Sequence, residues 1–466
     1  MKKINLTLMA ISLALLLFSC GESTKNGSGS VDNDFEKIEQ EGKLVAVTEF
    51  SPTDYFVYRG EPMGYQYELL QSLADYLDLK LELVVEDDLD KKYEDLNSGE
   101  YDLVAVNMAI TSERKKYVNF TDPIIQTQQV LVQRKAGHSD NKVVRNQINL
   151  GGKVVYVQKG TAYVDRLKNL SEEIGEKIHI IELPKYTDEQ LIEMVANGDI
   201  DYTVTDKHIA QANAHYFSNI DVKTPISFPQ NLAWAVRKSS KTLLDTINYW
   251  MEGIKRSMEY RAIYEKYFEN QWTIYVLKNN FYSQNNGRVS EFDDLIKEQS
   301  KKLDWDWRLL ASLVYQESRF KPDVESWAGA FGLMQLMPAT ASRYGVTQES
   351  SYEENVKAGV SFLKWLDEHF DEKVKNNDEK IKFILASYNA GLGHILDARR
   401  LARKNGKNPN VWEDNVDQFV LHKSEPEVYQ DPVVKHGYLR GTETYNYVND
   451  IMDRFHHYKN IYENQE

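Results

Sequence analysis

The spacing of apolar positions changes twice along this chain. Residues 6–18 form a nearly unbroken apolar run behind Lys2 and Lys3. Between about 35 and 270, short blocks rich in β-branched and aliphatic residues, such as "KLVAVTEF" (43–50) and "LKLELVVE" (79–86), predict strands. "GYQYELLQSLADYLDL" (64–79) places its apolar residues three or four apart and predicts a helix. Strands alternating with helices predict an α/β region. From 288 to 466 the spacing is helical almost throughout. "SEFDDLIKEQSKKL" opens with Ser290 as an expected N-cap and Asp293 three residues on. "DWRLLASLVYQES" (306–318) follows, so the second region is expected to be mainly α.

A repeat refines the α/β region. "NSGEYDLVAVN" (97–107) aligns with "ANGDIDYTVTD" (196–206), and the two runs end in Asn107 and Asp206. Two similar lobes would explain this, and such lobes enclose ligands at the carboxyl ends of their strands. The segment 271–287, "QWTIYVLKNNFYSQNNG", reads as an interdomain linker whose aromatic residues suggest packing and whose "NNG" marks a turn.

The candidate chemistry lies in the helical region. Leu310, Leu313, Val314 and Glu317 share one stripe, so Glu317 extends an apolar face. Burial raises a carboxyl pKa, and a carboxyl kept protonated near neutrality suits a general acid. The bland alternative is a Glu at an exposed helix end. "WAGAFGLMQLMPATA" then brings Gly329 and Gly332, which allow close backbone approach. Phe331, Leu333, Met334 and Met337 offer an apolar lining, although such a stripe is more often core, and Gln335 supplies an amide. Pro338 is placed to open a helix, and Gly391 in "ASYNAG" (386–391) to close one. Tyr388, Asn389 and Tyr447, the last in "GTETYNYVNDI" (441–451), are residue types that stack on and hydrogen-bond to sugars.

Length and charge bound the remainder. A chain of 466 residues is too long for one core and predicts two or three domains. The net charge of −15 argues against nucleic acid as a partner. Cys20 is the only cysteine, so no intrachain disulfide forms. The apolar run before it is shorter than the roughly 20 residues a bilayer crossing needs and fits a secretory signal. "LFSC" resembles a bacterial lipobox, which implies lipid on Cys20 and removal of the preceding residues; an ordinary signal peptide or anchor is the alternative. "GESTKNGSGSVDND" (21–34) reads as a flexible tether. "FHHY" (455–458) lacks the spacing of a zinc motif and reads as exposed helix. No phosphate loop is visible, and no metal or organic cofactor is expected.

Two resemblances cover nearly all of the chain beyond residue 35. "GYQYELLQSLADYL", "MAITSERKKYVNFTDP", "VYVQKGTA" and "GDIDYTVTD" resemble the family 3 extracellular solute-binding proteins, which bind amino acids between two hinged lobes. The resemblance implies a type II periplasmic-binding-protein fold over 35–270. It places the carboxylate-gripping guanidinium on Arg114, the ammonium-binding acid on Asp206, and donors from the second lobe on Gly160 and Thr161. Asn107 and Ala109 stand where some members carry serines.

"ES", "GLMQ", "YNAG" and "YV", in this order, resemble the soluble-type lytic transglycosylase domain of the lysozyme-like superfamily, over 288–466. This implies peptidoglycan glycan strands as substrate and Glu317 as the single catalytic acid and base. It also implies Ser318, Met334, Gln335, Tyr388, Asn389 and Tyr447 as cleft residues. The implied partners of the first region are an amino acid or wall-derived peptide, and the implied location is the periplasmic side of an outer membrane, held by lipid. A water-using muramidase on the same fold, or a receptor with an inactive second domain, are the competing readings.

Overall fold

The computed structural model describes residues 35–463 apart from 52, 87, 138–141, 185, 271–275, 277–287 and 371–372. Cys20, the apolar run and the 21–34 tether lie outside the described residues, as does the 271–287 linker except for Val276, which is buried. Among the described residues no helix is long and apolar enough to cross a membrane.

The α/β region forms two lobes. In the first, the sheet order is Lys80–Val85, Lys43–Thr48, Leu103–Ala109, Gln230–Arg237 and Val118–Phe120. Its first three strands are parallel, and Gln230–Arg237 runs antiparallel beside them. The helix Tyr65–Leu77 buries Leu69, Leu70 and Leu73, the apolar stripe of the sequence. In the second lobe the order is His179–Leu183, Val154–Gln158, Tyr202–Asp206, Gln129–Arg134 and Ile220–Pro225. The chain crosses between lobes near residues 127–129 and returns near 225–230.

The repeat has a structural counterpart. Leu103–Ala109 and Tyr202–Asp206 are each the central strand of a lobe, and each follows a helix, Leu89–Ser98 or Asp188–Asn197. The expected strand over 43–50 ends at Thr48; Phe50 and Ser51 make only isolated bridges to Tyr55.

The second region is helical: Trp307–Ser318 packs on the last helix, Gly441–Glu463, and on Asp293–Ser300, while Asn377–Ala390 packs against Tyr352–Phe370, Leu392–Lys404 and the last helix. The helix spans Asp293–Ser300 and so starts later than Ser290 as N-cap would place it, but the expected pairing is present in the turn before it: the Ser290 hydroxyl accepts from Phe292 N (3.1 Å), and the buried Asp293 carboxylate accepts from the backbone N–H groups of Val289 and Ser290, both at 2.9 Å. Asp306 caps the next helix through Arg308 N (2.9 Å). Pro338 is its helix's first residue and Gly391 ends Asn377–Ala390, both as expected.

The two regions are packed together. Gly60, at the turn of the Phe56–Tyr58 and Glu61–Met63 hairpin, lies against Tyr315, Phe320 and Tyr458. The Tyr458 hydroxyl donates to Gly60 O (3.0 Å), the Tyr315 hydroxyl to Glu61, and Lys80 pairs with Asp453 at 2.6 Å. The expectation that both histidines of "FHHY" are exposed fails for His457. It hydrogen-bonds the Tyr55 hydroxyl at 3.0 Å and packs on Tyr67, and burial pushes its pKa down to about 3. His456 is exposed.

Candidate active site and interlobe cleft

Glu317 occupies the last turn of Trp307–Ser318, beyond the buried Leu310, Leu313 and Val314. The chain reverses directly after it, with Arg319 and Phe320 both at left-handed φ (52° and 58°). Desolvation pushes the Glu317 carboxyl up to about 7, and a hydrogen bond from the Tyr447 hydroxyl to Oε1 opposes that rise. Tyr447 reaches it from the first turns of the final helix. Asp323 and Glu325, the other acids nearby in sequence, are exposed.

The segment after Glu317 forms a short hairpin whose ends are bridged between Glu325 and Phe331. Buried Asn355, from the neighbouring helix, accepts from Met334 N (2.9 Å) and donates to Phe331 O (3.1 Å). It thereby fixes both sides of Gly332. That glycine has φ 79°, and a Cβ there would lie 2.4 Å from Asn355 Nδ2. The close approach expected of this glycine is therefore to Asn355. The apolar lining is also revised: Leu333 and Met334 are fully buried in the core, whereas Met337 is 47% exposed.

The remaining expected cleft residues are brought together with different degrees of freedom. The Tyr388 hydroxyl donates to Met334 O (2.6 Å), and Thr444 donates to Asn389 Oδ1 (2.8 Å). Gln335 takes a left-handed φ of 44° and spends Nε2 on Val324 O and Gly332 O, each at 2.9 Å. Ser318 is buried and donates to Val314 O (3.1 Å), a bond within its own helix. Asn355 and Thr444 are members of this framework that motif reading missed. Their partners lie far away in sequence, and a lone Asn or Thr on a helix gives no signal of them.

In the α/β region, Arg114 bridges the lobes by donating to Ala109 O (3.2 Å) and Gly160 O (3.4 Å). Thr161 precedes the helix Ala162–Ile174, and its hydroxyl donates to Gln158 O (2.8 Å). Asp206 ends its strand 5% exposed, makes no capping bond, and is pushed up to about 8 by burial and the Asp188 charge. It is not a surface charge, and although it occupies the N-cap position of Lys207–Tyr216 its side chain does not cap that helix. Asn107 accepts from Gln66 (2.9 Å) and donates to Asp54 (3.3 Å), and so holds an acid at the mouth of the first lobe.

Comparison with known proteins agrees with this division. The family description "Bacterial extracellular solute-binding proteins, family 3" matches residues 43–270, and "Transglycosylase SLT domain" matches 294–411. A protein of Desulfosudis oleivorans named membrane-bound lytic murein transglycosylase F is 35% identical over 417 residues, covering 89% of this chain and 90% of its own length. The chain belongs to the membrane-bound lytic murein transglycosylase F family. A member from Pseudomonas putida (strain W619) is 30% identical and covers 95% of this chain and 89% of its own length. Among solved structures, an ancestral arginine-binding protein bound to arginine is 28% identical, with a TM-score of 0.43, over 49% of this chain and 98% of its own. A mutant of ArgBP from T. maritima is 29% identical, with a TM-score of 0.44, over 50% of this chain and 99% of its own. The SLT match ends at 411, yet Tyr447, the hydrogen-bond partner of Glu317, lies beyond it.

Proposed function

We infer that this chain is a peptidoglycan lytic transglycosylase carrying an N-terminal solute-binding module, and that Glu317 performs both proton transfers. The observation that supports this most directly is one desolvated carboxyl, pushed up to about 7 and held by Tyr447, with the neighbouring acids exposed. A carboxyl of that pKa is substantially protonated near neutrality and can act as an acid. Most glycoside hydrolases pair two carboxylates. Here Glu317 would give its proton to the glycosidic oxygen as the bond to muramyl C1 breaks, and the substrate's own acetamido group would stabilise the cation at C1. The Glu317 carboxylate would then take the proton of the muramyl C6 hydroxyl, whose oxygen bonds to C1. The products are a chain end bearing a new hydroxyl and a 1,6-anhydro end, with no water consumed. An intramolecular nucleophile of this kind benefits from proximity.

Tyr388, Asn389 and Tyr447 would face the sugar, with Met334 and Gln335 shaping the loop beneath it and Ser318 completing the helix end. In the other module, Arg114 would grip a ligand carboxylate and Asp206 its ammonium, with Gly160 and Thr161 contributing from the second lobe. Membrane association would come through lipid on Cys20, on the periplasmic side of an outer membrane. The contacts of Gly60 and Glu61 with the Glu317-bearing helix motivate a further reading, in which a wall-derived peptide that closes the lobes alters cleavage. Equal turnover with and without such a peptide would remove it.

The test of the catalytic assignment is digestion of purified peptidoglycan by the wild type and by Glu317→Gln, with mass analysis of the fragments. A loss of about a hundred- to ten-thousand-fold is expected, the range for removing a general acid. Equal fragment release by the two proteins would overturn the role given to Glu317.

A further inference from the structure

A row of aromatic rings begins at the candidate active site. Its first member is Tyr388, whose hydroxyl is fixed on Met334 O (2.6 Å) and whose pKa is raised well above its ordinary value by burial and by the Glu317 charge. The Phe362 ring lies 5.3 Å from that of Tyr388, tilted by 43°. Trp365 follows at 5.8 Å from Phe362 and nearly parallel to it, at 18°, and His369 lies 4.2 Å from Trp365. Phe362, Trp365 and His369 stand three and four residues apart on Tyr352–Phe370, and so share one stripe of that helix. The His369 ring is held in place by Nδ1 donating to Trp365 O (2.7 Å).

Packing accounts for only part of this row. The core face of the same helix is a neighbouring stripe, in which Leu363, Leu366 and Phe370 are fully buried. Phe362 rests against that core, but Trp365 is 36% exposed, and among the described residues its indole N–H has no hydrogen-bond partner. Among the described residues, the rings against Trp365 are those of Phe362 and His369, both from its own helix. A second aromatic run, Tyr260, Tyr264 and Phe268, is closed off by contrast, because all three of its rings pack on Tyr65. An uncovered indole offers a flat apolar face with a polar donor at its edge. A pyranose ring matches that shape, with C–H groups on its face and hydroxyl and acetamido groups around its rim. The row is one ring wide and continuous with Tyr388, so the occupant that fits it is the same glycan strand that Tyr388 faces.

We propose that Phe362 and Trp365 form a stacking platform for a sugar remote from the cleaved bond, so that the enzyme prefers long glycan strands to short ones. The proposal rests on the reading of Glu317 and Tyr388 as the cleavage site. In that reading Tyr388 faces the sugar next to the bond, and Trp365, two rings further on, meets the third. Strands of alternating N-acetylglucosamine and N-acetylmuramic acid, free of stem peptides, test this with the whole protein. A tetrasaccharide cut at its centre has two sugars on each side and does not reach Trp365, whereas an octasaccharide cut at its centre has four and does. The quantity read is kcat/KM for the appearance of 1,6-anhydro ends, followed by mass analysis. The wild type should prefer the octasaccharide. Trp365→Ala should lower the octasaccharide-to-tetrasaccharide ratio about five- to tenfold, the scale of one lost ring contact, and Trp365→Phe, which keeps a ring, should retain most of it. A ratio that Trp365→Ala leaves unchanged, whether both substrates lose turnover together or neither does, would overturn the proposal and leave the role of Glu317 standing. A wild type that forms anhydro ends from neither substrate would overturn the catalytic reading and the proposal together.

Discussion

At the scale of single residues, opposing influences set the acidity of Glu317. Desolvation raises its pKa to about 7, and the Tyr447 hydroxyl, donating to the carboxylate, pulls the other way. A raised carboxyl is protonated below its folded pKa, so the acid form is present at lower pH and is lost as pH rises through about 7. kcat/KM on glycan strands should therefore fall along an alkaline limb near that value. Tyr447→Phe removes the opposing bond and should move the limb to higher pH, as well as lowering turnover. A limb that stays put or moves down in the pH profile of this variant would contradict the assignment. Glu317 was legible because an acid at the end of an apolar helical stripe is anomalous in sequence. The state of Gln335 was not, because a left-handed backbone and two loop carbonyls, features of the folded turn, consume its amide.

Among the elements, helix and strand positions followed from the spacing of apolar residues, while the boundaries depended on side chains reaching back. Asp293 and Ser290 hydrogen-bond each other in the turn that precedes the helix, which itself begins only at Asp293. The "GLMQ" loop is likewise held from outside itself, by Asn355, which is 21 and 24 residues from its two backbone partners. Sequence spacing carries no trace of that contact. Gly332→Ala places a methyl group against Asn355 at a φ that disfavours alanine, and should cost about 1–3 kcal/mol. Thermal unfolding followed by calorimetry should show a lower transition together with reduced activity. An unchanged transition would mean that the loop accommodates the methyl group and that Asn355 does not fix it. The repeated strand, by contrast, was legible because each copy needs the same helix end, glycine and buried central strand.

Across the whole molecule, the division into an α/β half and a helical half was visible in the change of periodicity, but their docking was not. Gly60, Tyr315, His457 and Tyr458 meet from three distant parts of the chain, and each reads as ordinary surface or core when taken alone. The docking places one end of the final helix on the first lobe, while its other end supplies Tyr447 to Glu317. The central claim is that this assembly cleaves glycan strands without water. Digestion of purified peptidoglycan by the intact chain in heavy-oxygen water, followed by mass analysis, measures it most directly. The account predicts anhydromuramyl ends with no heavy oxygen at the cleaved carbon. Reducing muramyl ends carrying the heavy oxygen would contradict it.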